Sequence, residues 1–176
     1  MEDMSNKMTL GFKSEGDIIY LIGRSRNDIS SYEYLYSYHR VKASSSPYFD
    51  LDEEYAIQNA VSELIKNRLI VSAHDVSEGG LFVTLAESAM ANNKGFDVTS
   101  ESGIRKDAWL FGESQSRVVV STNNAGIEEF LSNKNIPFRK IGKTTSENFV
   151  VDGVELLESS KAKGLYSNAL GAILGQ

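Results

Sequence analysis

Apolar residues first gather at Asp17–Gly23 (Asp-Ile-Ile-Tyr-Leu-Ile-Gly), a short run closed by glycine that predicts a buried strand. Between Ser30 and Arg40, Tyr32, Leu35, Tyr36 and His39 recur at three- and four-residue steps, which predicts a helix with an aromatic side. Ala43-Ser44-Ser45-Ser46-Pro47 then breaks the pattern as a loop. From Asp52 to Asn67, Ile57, Ala60, Val61, Leu64 and Ile65 follow the spacing of one helical face. Asp52, Glu53 and Glu54 at its start and Lys66 and Arg68 at its end complement the helix dipole. Leu69–Ala73 predicts a second strand that runs into His74-Asp75-Val76-Ser77-Glu78-Gly79-Gly80. Leu81, Phe82, Leu85, Ala86, Ala89 and Met90 then give a helix, stopped by Asn92-Asn93-Lys94-Gly95.

Phe96–Thr99 is a weaker strand, and Arg117–Ser121 a stronger one, since three consecutive valines disfavour helix and suit a sheet covered on both faces. A helix over 125–134 leads to strands at Phe138–Ile141 and Asn148–Val151, separated by a polar turn at Lys143–Glu147. The tail, Val154–Leu174, reads as mostly helical with an interruption at Gly164. About six strands interleaved with four or five helices imply an α/β (α+β) domain, a layered mixed sheet with flanking helices. Residues 1–10, with three methionines in the first eight positions, read as a linker, and 11–176 as a single domain.

Composition narrows the function classes. At 176 residues with 41% hydrophobic content, the chain suits one ordinary domain with a real core. A formal charge of −6 with no basic run argues against nucleic acid or an anionic membrane as partner, so any phosphate is held locally. Zero cysteines exclude disulfides, thiolate metal sites and cysteine nucleophiles, and leave only His39 and His74 for imidazole chemistry. No apolar run is long enough for a membrane span or a signal peptide, which predicts a cytoplasmic protein.

Two segments carry candidate chemistry. In the first, Gly79 and Gly80 lie at a strand-to-helix turn, where backbone amides can approach an anion, most simply a phosphate. The same residues also suit a plain turn capped by Ser77. Asp75 is a candidate magnesium ligand, because Mg²⁺ takes one or two carboxylates plus phosphate oxygens; a turn carboxylate is the structural alternative. His74 suits substrate binding or proton transfer, or a backbone hydrogen bond at a strand end. In the second segment, Phe111-Gly112-Glu113-Ser114-Gln115-Ser116-Arg117, polar side chains gather before a buried strand, where small polar ligands are held. Arg117 there suits a two-pronged contact to phosphate or carboxylate, or pairing with Glu113. The Tyr32-Tyr34-Tyr36-Tyr38 alternation reads as packing or an interface, and Trp109 as core.

Taken together, Ser72-Ala73-His74-Asp75-Val76-Ser77-Glu78-Gly79-Gly80-Leu81, then Leu85-Ala86-Glu87, then Leu110–Arg117 closely resemble the C-terminal domain of the aminoimidazole ribonucleotide synthetase-like superfamily. Within it the pattern is most similar to the phosphoribosylformylglycinamidine synthases. Gly16–Gly23, Pro47-Tyr48-Phe49-Asp50-Leu51 and Ile141-Gly142-Lys143 extend the resemblance over about residues 10–153. The resemblance implies one C-terminal domain of a synthetase that holds two tandem N-terminal plus C-terminal domain pairs. The implied reaction activates the amide oxygen of formylglycinamide ribonucleotide with ATP and Mg²⁺ and displaces it with glutamine-derived ammonia.

The resemblance assigns substrate contacts to Glu113, Ser114 and Gln115, a magnesium position to Asp75, and turn glycines to Gly79 and Gly80. His74 and Arg117 join the expected substrate-binding set, and Ser77 the phosphate turn. It assigns no catalytic residue to this chain, because the family's proposed catalytic histidine and most nucleotide ligands lie on N-terminal domains. The implied partners are those N-terminal synthetase domains, a glutaminase domain or subunit, and the small-molecule substrate; the fragment by itself is expected to be inactive. Ser31-Tyr32-Glu33-Tyr34 stands where the family often shows Gly-Gly-Ser-Glu-Tyr, which removes the glycines from that segment. The alternatives are the C-terminal half of an aminoimidazole ribonucleotide or selenophosphate synthetase, and a non-catalytic scaffold domain.

Overall fold

The computed structural model describes residues 6–30 and 33–175. Among these, seven strands form one sheet: β1 (Ile18–Ile22), β2 (Ser72–Asp75), β3 (Gly95–Val98), β4 (Val118–Thr122), β5 (Phe138–Thr145), β6 (Asn148–Val151) and β7 (Val154–Glu158). Their spatial order is β2-β4-β1-β5-β3-β6-β7, antiparallel throughout except for the parallel pair β3–β6. Five α-helices flank it: α1 (Leu51–Lys66), α2 (Gly80–Met90), α3 (Lys106–Phe111), α4 (Gly126–Asn133) and α5 (Ser159–Leu174).

The strand alternation explains why β1 and β4 read as unbroken apolar runs. Ile19, Leu21 and Val119 face a core built with Leu81, Leu85 and Ala89 of α2, Trp109 of α3 and Ala162 of α5. Tyr20, Ile22 and Val120 face the opposite core, built with Ile57, Ala60 and Leu64 of α1 and Ile127 and Leu131 of α4. A strand with both faces covered has no solvent side, so charged residues are absent from it and the polar Ser121 and Thr122 of β4 are hydrogen-bonded inside. α1 starts at Asp50, whose carboxylate accepts the Glu53 amide at 2.9 Å, and its buried residues lie on one face.

Four elements depart here from the pattern-based expectation. β2 begins at Ser72 rather than Leu69, because Ile70 turns into the α1/α4 core and pairing with β4 starts only at Ser72 opposite Ser121. The tail opens as strand β7, which pairs with β6 across a two-residue Asp152-Gly153 turn with φ of 53° and 75°. Two successive left-handed residues match the twist of a hairpin, which is why Asp-Gly is favoured there. α5 then runs unbroken through Gly164, since one glycine costs a helix only about 1 kcal/mol. β5 continues to Thr145, through the segment expected to begin the turn.

Between β1 and α1, Tyr34–Tyr38 forms one π-helical turn in place of the longer helix expected over 30–40; Ser31 and Tyr32 lie outside the described residues. Residues 1–5 of the expected linker also lie outside them. The described remainder is held down: Met8 packs on the α1/α4 core and the Thr9 carbonyl accepts the Ala73 amide at the β2 edge. Among the described residues, no helix is long and apolar enough to cross a membrane.

Candidate functional site

The two segments singled out in the sequence meet at one end of the sheet. Asp75 ends β2 opposite Val118, the first residue of β4, so the loop before β4 lies beside the turn that leads into α2. That turn carries left-handed Gly79 (φ 81°) and Gly80 (φ 72°). A Cβ on Gly80 would stand 2.7 Å from the carbonyl carbon of Phe111 and 2.8 Å from the carbonyl oxygen of Gly112. Glycine is therefore required by backbone conformation and by the approach of the second loop.

A hydrogen bond closes the junction. The buried carboxylate of Glu113 accepts the Gly79 amide at 2.9 Å. A carboxylate at the N-terminus of α2 also meets the positive end of its dipole. The Gly80 amide donates to the Ser77 carbonyl at 3.0 Å. Both glycine amides expected to cradle a phosphate thus have acceptors within the protein. Ser77 does not cap α2 through its side chain: the residue at the cap is Gly79, and the Ser77 side chain is exposed at the surface.

The second loop is braced from inside. Arg117 is 2% exposed; its Nε donates to the Ser114 carbonyl at 2.9 Å and its Nη2 to the Gly112 carbonyl at 2.6 Å. Burial pulls its pKa down to about 10, opposed by the Glu113 carboxylate, so the guanidinium stays charged at neutral pH. Expected to face a ligand, Arg117 instead holds the loop's backbone carbonyls, because its side chain runs into the domain rather than out of it. Ser114 is buried as well, whereas the Gln115 side chain is exposed and donates from Nε2 to the Glu113 carbonyl at 3.1 Å.

His74 points from β2 onto α2. Its Nδ1 lies 3.2 Å from the Thr84 carbonyl and 3.1 Å from the Ser88 hydroxyl, and its Nε2 lies 3.6 Å from the Glu87 carboxylate. Asp75, the next residue along, faces the other way and is exposed.

A cleft of about 570 Å³ opens over the turn, lined by Glu33, Ser77, Glu78, Gly79, Val83 and Glu87. Its three glutamates were given no role by sequence reasoning. The spacing of Val83 and Glu87 places them on successive turns of α2, in line with the capping Gly79, a signal available in the sequence. Tyr34 stacks on Phe111 at 5.0 Å, which pins the π-helical turn and hence Glu33 beside this cleft. Trp109 is fully buried as expected. Among the described residues, no group of three or more His, Asp or Glu is placed to hold a metal. Asp75 therefore fits Mg²⁺ only as one carboxylate among ligand oxygens.

The family of AIR synthase related proteins, C-terminal domain, matches residues 14–153. The chain belongs to this family. Phosphoribosylformylglycinamidine synthase subunit PurL of Caldanaerobacter subterraneus subsp. tengcongensis is 35% identical over 155 residues, 86% of this chain and 21% of that protein. PurL of Alkaliphilus metalliredigens is 40% identical over 145 residues, 81% of this chain and 20% of that protein. This AIR synthase related domain thus spans about a fifth of the length of the curated relatives it matches. Its fold is similar to that of T. maritima PurL complexed with FGAR, with a TM-score of 0.75 at 18% identity over 91% of this chain and 30% of the other. T. maritima PurL complexed with ATP gives a TM-score of 0.67 at 15% identity, over 91% of this chain and 28% of the other.

Proposed function

We propose that this chain is the substrate-side C-terminal domain of a phosphoribosylformylglycinamidine synthase, an ATP-dependent C–N ligase of purine biosynthesis in the cytoplasm. The observation that carries the reading is the junction of the two family motifs, the Gly79 amide held by the Glu113 carboxylate at 2.9 Å. It is supported by relatives of 35% and 40% identity named for that activity. The reaction replaces the amide oxygen of formylglycinamide ribonucleotide with ammonia nitrogen, the oxygen leaving as phosphate after transfer from ATP. Bound ATP and Mg²⁺ supply the activated phosphoryl group and offset its charge.

In this reading Asp75 supplies one carboxylate to Mg²⁺ and Gln115 reaches the substrate from the rim of the loop. Glu113, Ser114 and Arg117 are positioning residues that fix the loop, while Gly79 and Gly80 let the two motifs touch. His74 fixes β2 to α2, and Ser77 lines the cleft. Residues 11–176 form one C-terminal synthetase-like domain, with Met8–Leu10 strapped to its edge. N-terminal synthetase domains complete the active site, and a glutaminase domain or subunit delivers ammonia. The chain alone turns over no substrate.

Binding of ADP and of formylglycinamide ribonucleotide to the 176-residue chain, by calorimetry with wild type, Asp75→Ala and Gln115→Ala, tests the reading. Weaker nucleotide binding in the first variant and weaker substrate binding in the second are expected. Unchanged affinity in both, with folding retained, supports the scaffold reading instead, which the internal engagement of both glycine amides favours.

A further inference from the structure

A second pocket lies at the same end of the sheet, beyond the Glu113–Arg117 loop. It has a volume of about 360 Å³ and is lined by Gly23, Arg24, Ser25, Glu101, Phe138 and Arg139, with Pro137 between the last elements. The β1–β5 register pairs Ile22 with Phe138 and Leu21 with Arg139, which sets the end of β1 beside the start of β5. Gly23 is left-handed (φ 94°), and a Cβ there would lie 2.1 Å from the Ser116 carbonyl oxygen. The pocket is therefore built directly against the second motif.

Its charge is unbalanced. Arg139 is held loosely by Glu101 at 3.5 Å, the single acid in the lining. Arg24 has no ion pair or hydrogen bond among the described residues, whereas its neighbour Arg26 is engaged by Glu53 at 3.1 Å and lies over the Tyr48 ring. The Ser25 hydroxyl is buried without a hydrogen-bond partner. Two guanidinium groups, one acid and an unpaired hydroxyl form a site deficient in one negative charge and rich in donors. This contrasts with the cleft over α2, whose three glutamates repel a free anion.

We propose that the pocket of Arg24, Ser25 and Arg139 binds a phosphomonoester. The strand order places it relative to Asp75. β2 and β5 are separated by β4 and β1, three steps of about 4.8 Å, so Asp75 and Arg139 lie on strands about 14 Å apart. A ribonucleotide can lie along this sheet end with its phosphate at the arginines and its other end toward Asp75. The inference rests on the function proposed above only for the identity of the molecule that carries the phosphate.

The test uses inorganic phosphate and ribose 5-phosphate on the full 176-residue chain, followed by amide NMR shifts and calorimetry. Shifts confined to Gly23–Ser25 and Phe138–Arg139 are expected, with affinity reduced about tenfold in Arg24→Ala and in Arg139→Ala. Glu101→Gln frees Arg139 and is expected to tighten binding about threefold, a gain that misfolding cannot produce. Absence of shifts in this pocket, equal affinity in Arg24→Ala, or weaker binding in Glu101→Gln overturns the proposal. Phosphate bound here while formylglycinamide ribonucleotide fails to bind sustains the pocket and overturns the substrate assignment made above.

Discussion

The Glu113 carboxylate accepts a hydrogen bond of 2.9 Å from the Gly79 amide, joining residues 34 positions apart in the chain. Glu113 reaches this position because Arg117, buried behind it, holds the carbonyls of Gly112 and Ser114 and keeps the loop folded back on α2. A carboxylate, an amide and a guanidinium thus lock the strand-to-helix turn to the loop before β4.

Glu113→Ala leaves the Gly79 amide without its acceptor and Arg117 without a nearby carboxylate. Urea unfolding should show a loss of about 2–3 kcal/mol, with Glu113→Gln losing about half as much because its amide oxygen still accepts. A loss below about 0.5 kcal/mol in both would mean that the bond contributes little.

Gly80→Ala places a methyl group 2.7 Å from the Phe111 carbonyl carbon, so the two loops must separate. Gly153 is also left-handed, yet open space surrounds its Cβ position. Gly153→Ala should therefore show the conformational cost alone, about 1 kcal/mol, and Gly80→Ala clearly more. Thermal unfolding of the two variants side by side separates steric from torsional strain.

Asp152 accepts from the Ser100 amide at 2.7 Å and from Lys106 at 2.8 Å. The Lys106 bond first, then the Ser100 amide, holds its pKa below the ordinary 3.8. The folded state therefore binds this proton less readily than the unfolded chain. Its stabilising contribution is complete above the ordinary carboxylate pKa and is lost as pH falls from there through the lowered value. Asp152→Asn should lower stability at neutral pH and flatten the acid limb of a urea-midpoint profile, while a limb of unchanged slope would remove Asp152 as its cause.

The Thr84 carbonyl can only accept, so an Nδ1 of His74 that bonds to it at 3.2 Å carries the proton. Long-range ¹⁵N–¹H correlation should show a proton on Nδ1 of His74, whose Nε2 lies 3.6 Å from the Glu87 carboxylate. The opposite tautomer would mean that Ser88, not Thr84, sets the ring.

Much of the architecture was legible along the chain because it depends on local period. α1 followed from the apolar spacing at Ile57, Ala60 and Leu64, and β1 and β4 from runs too apolar for any solvent-facing strand. β7 was missed although its Asp152-Gly153 hairpin signal was present, since Val-Glu-Leu-Leu-Glu alone fits helix or strand and only pairing with β6 decides between them. The same holds for α3, which follows a cap with no side-chain hydrogen bond and is too short to show a helical period.

The sequence by itself determined the residue types of the site and their order: a glycine turn after a strand, and a Glu-Ser-Gln-Ser-Arg loop before another. It also carried the family, because those motifs are local strings. Tertiary structure alone decided what each residue does. Whether Glu113 faces a ligand or the Gly79 amide, and whether Arg117 points outward or braces its own loop, depends on contacts between segments that no local pattern encodes. The same sheet pairing brings Arg24 and Arg139, residues far apart in the chain, to the lining of one pocket. Local propensity selects elements, but the direction of a side chain at their ends is set by the neighbour that its hydrogen bonds can reach.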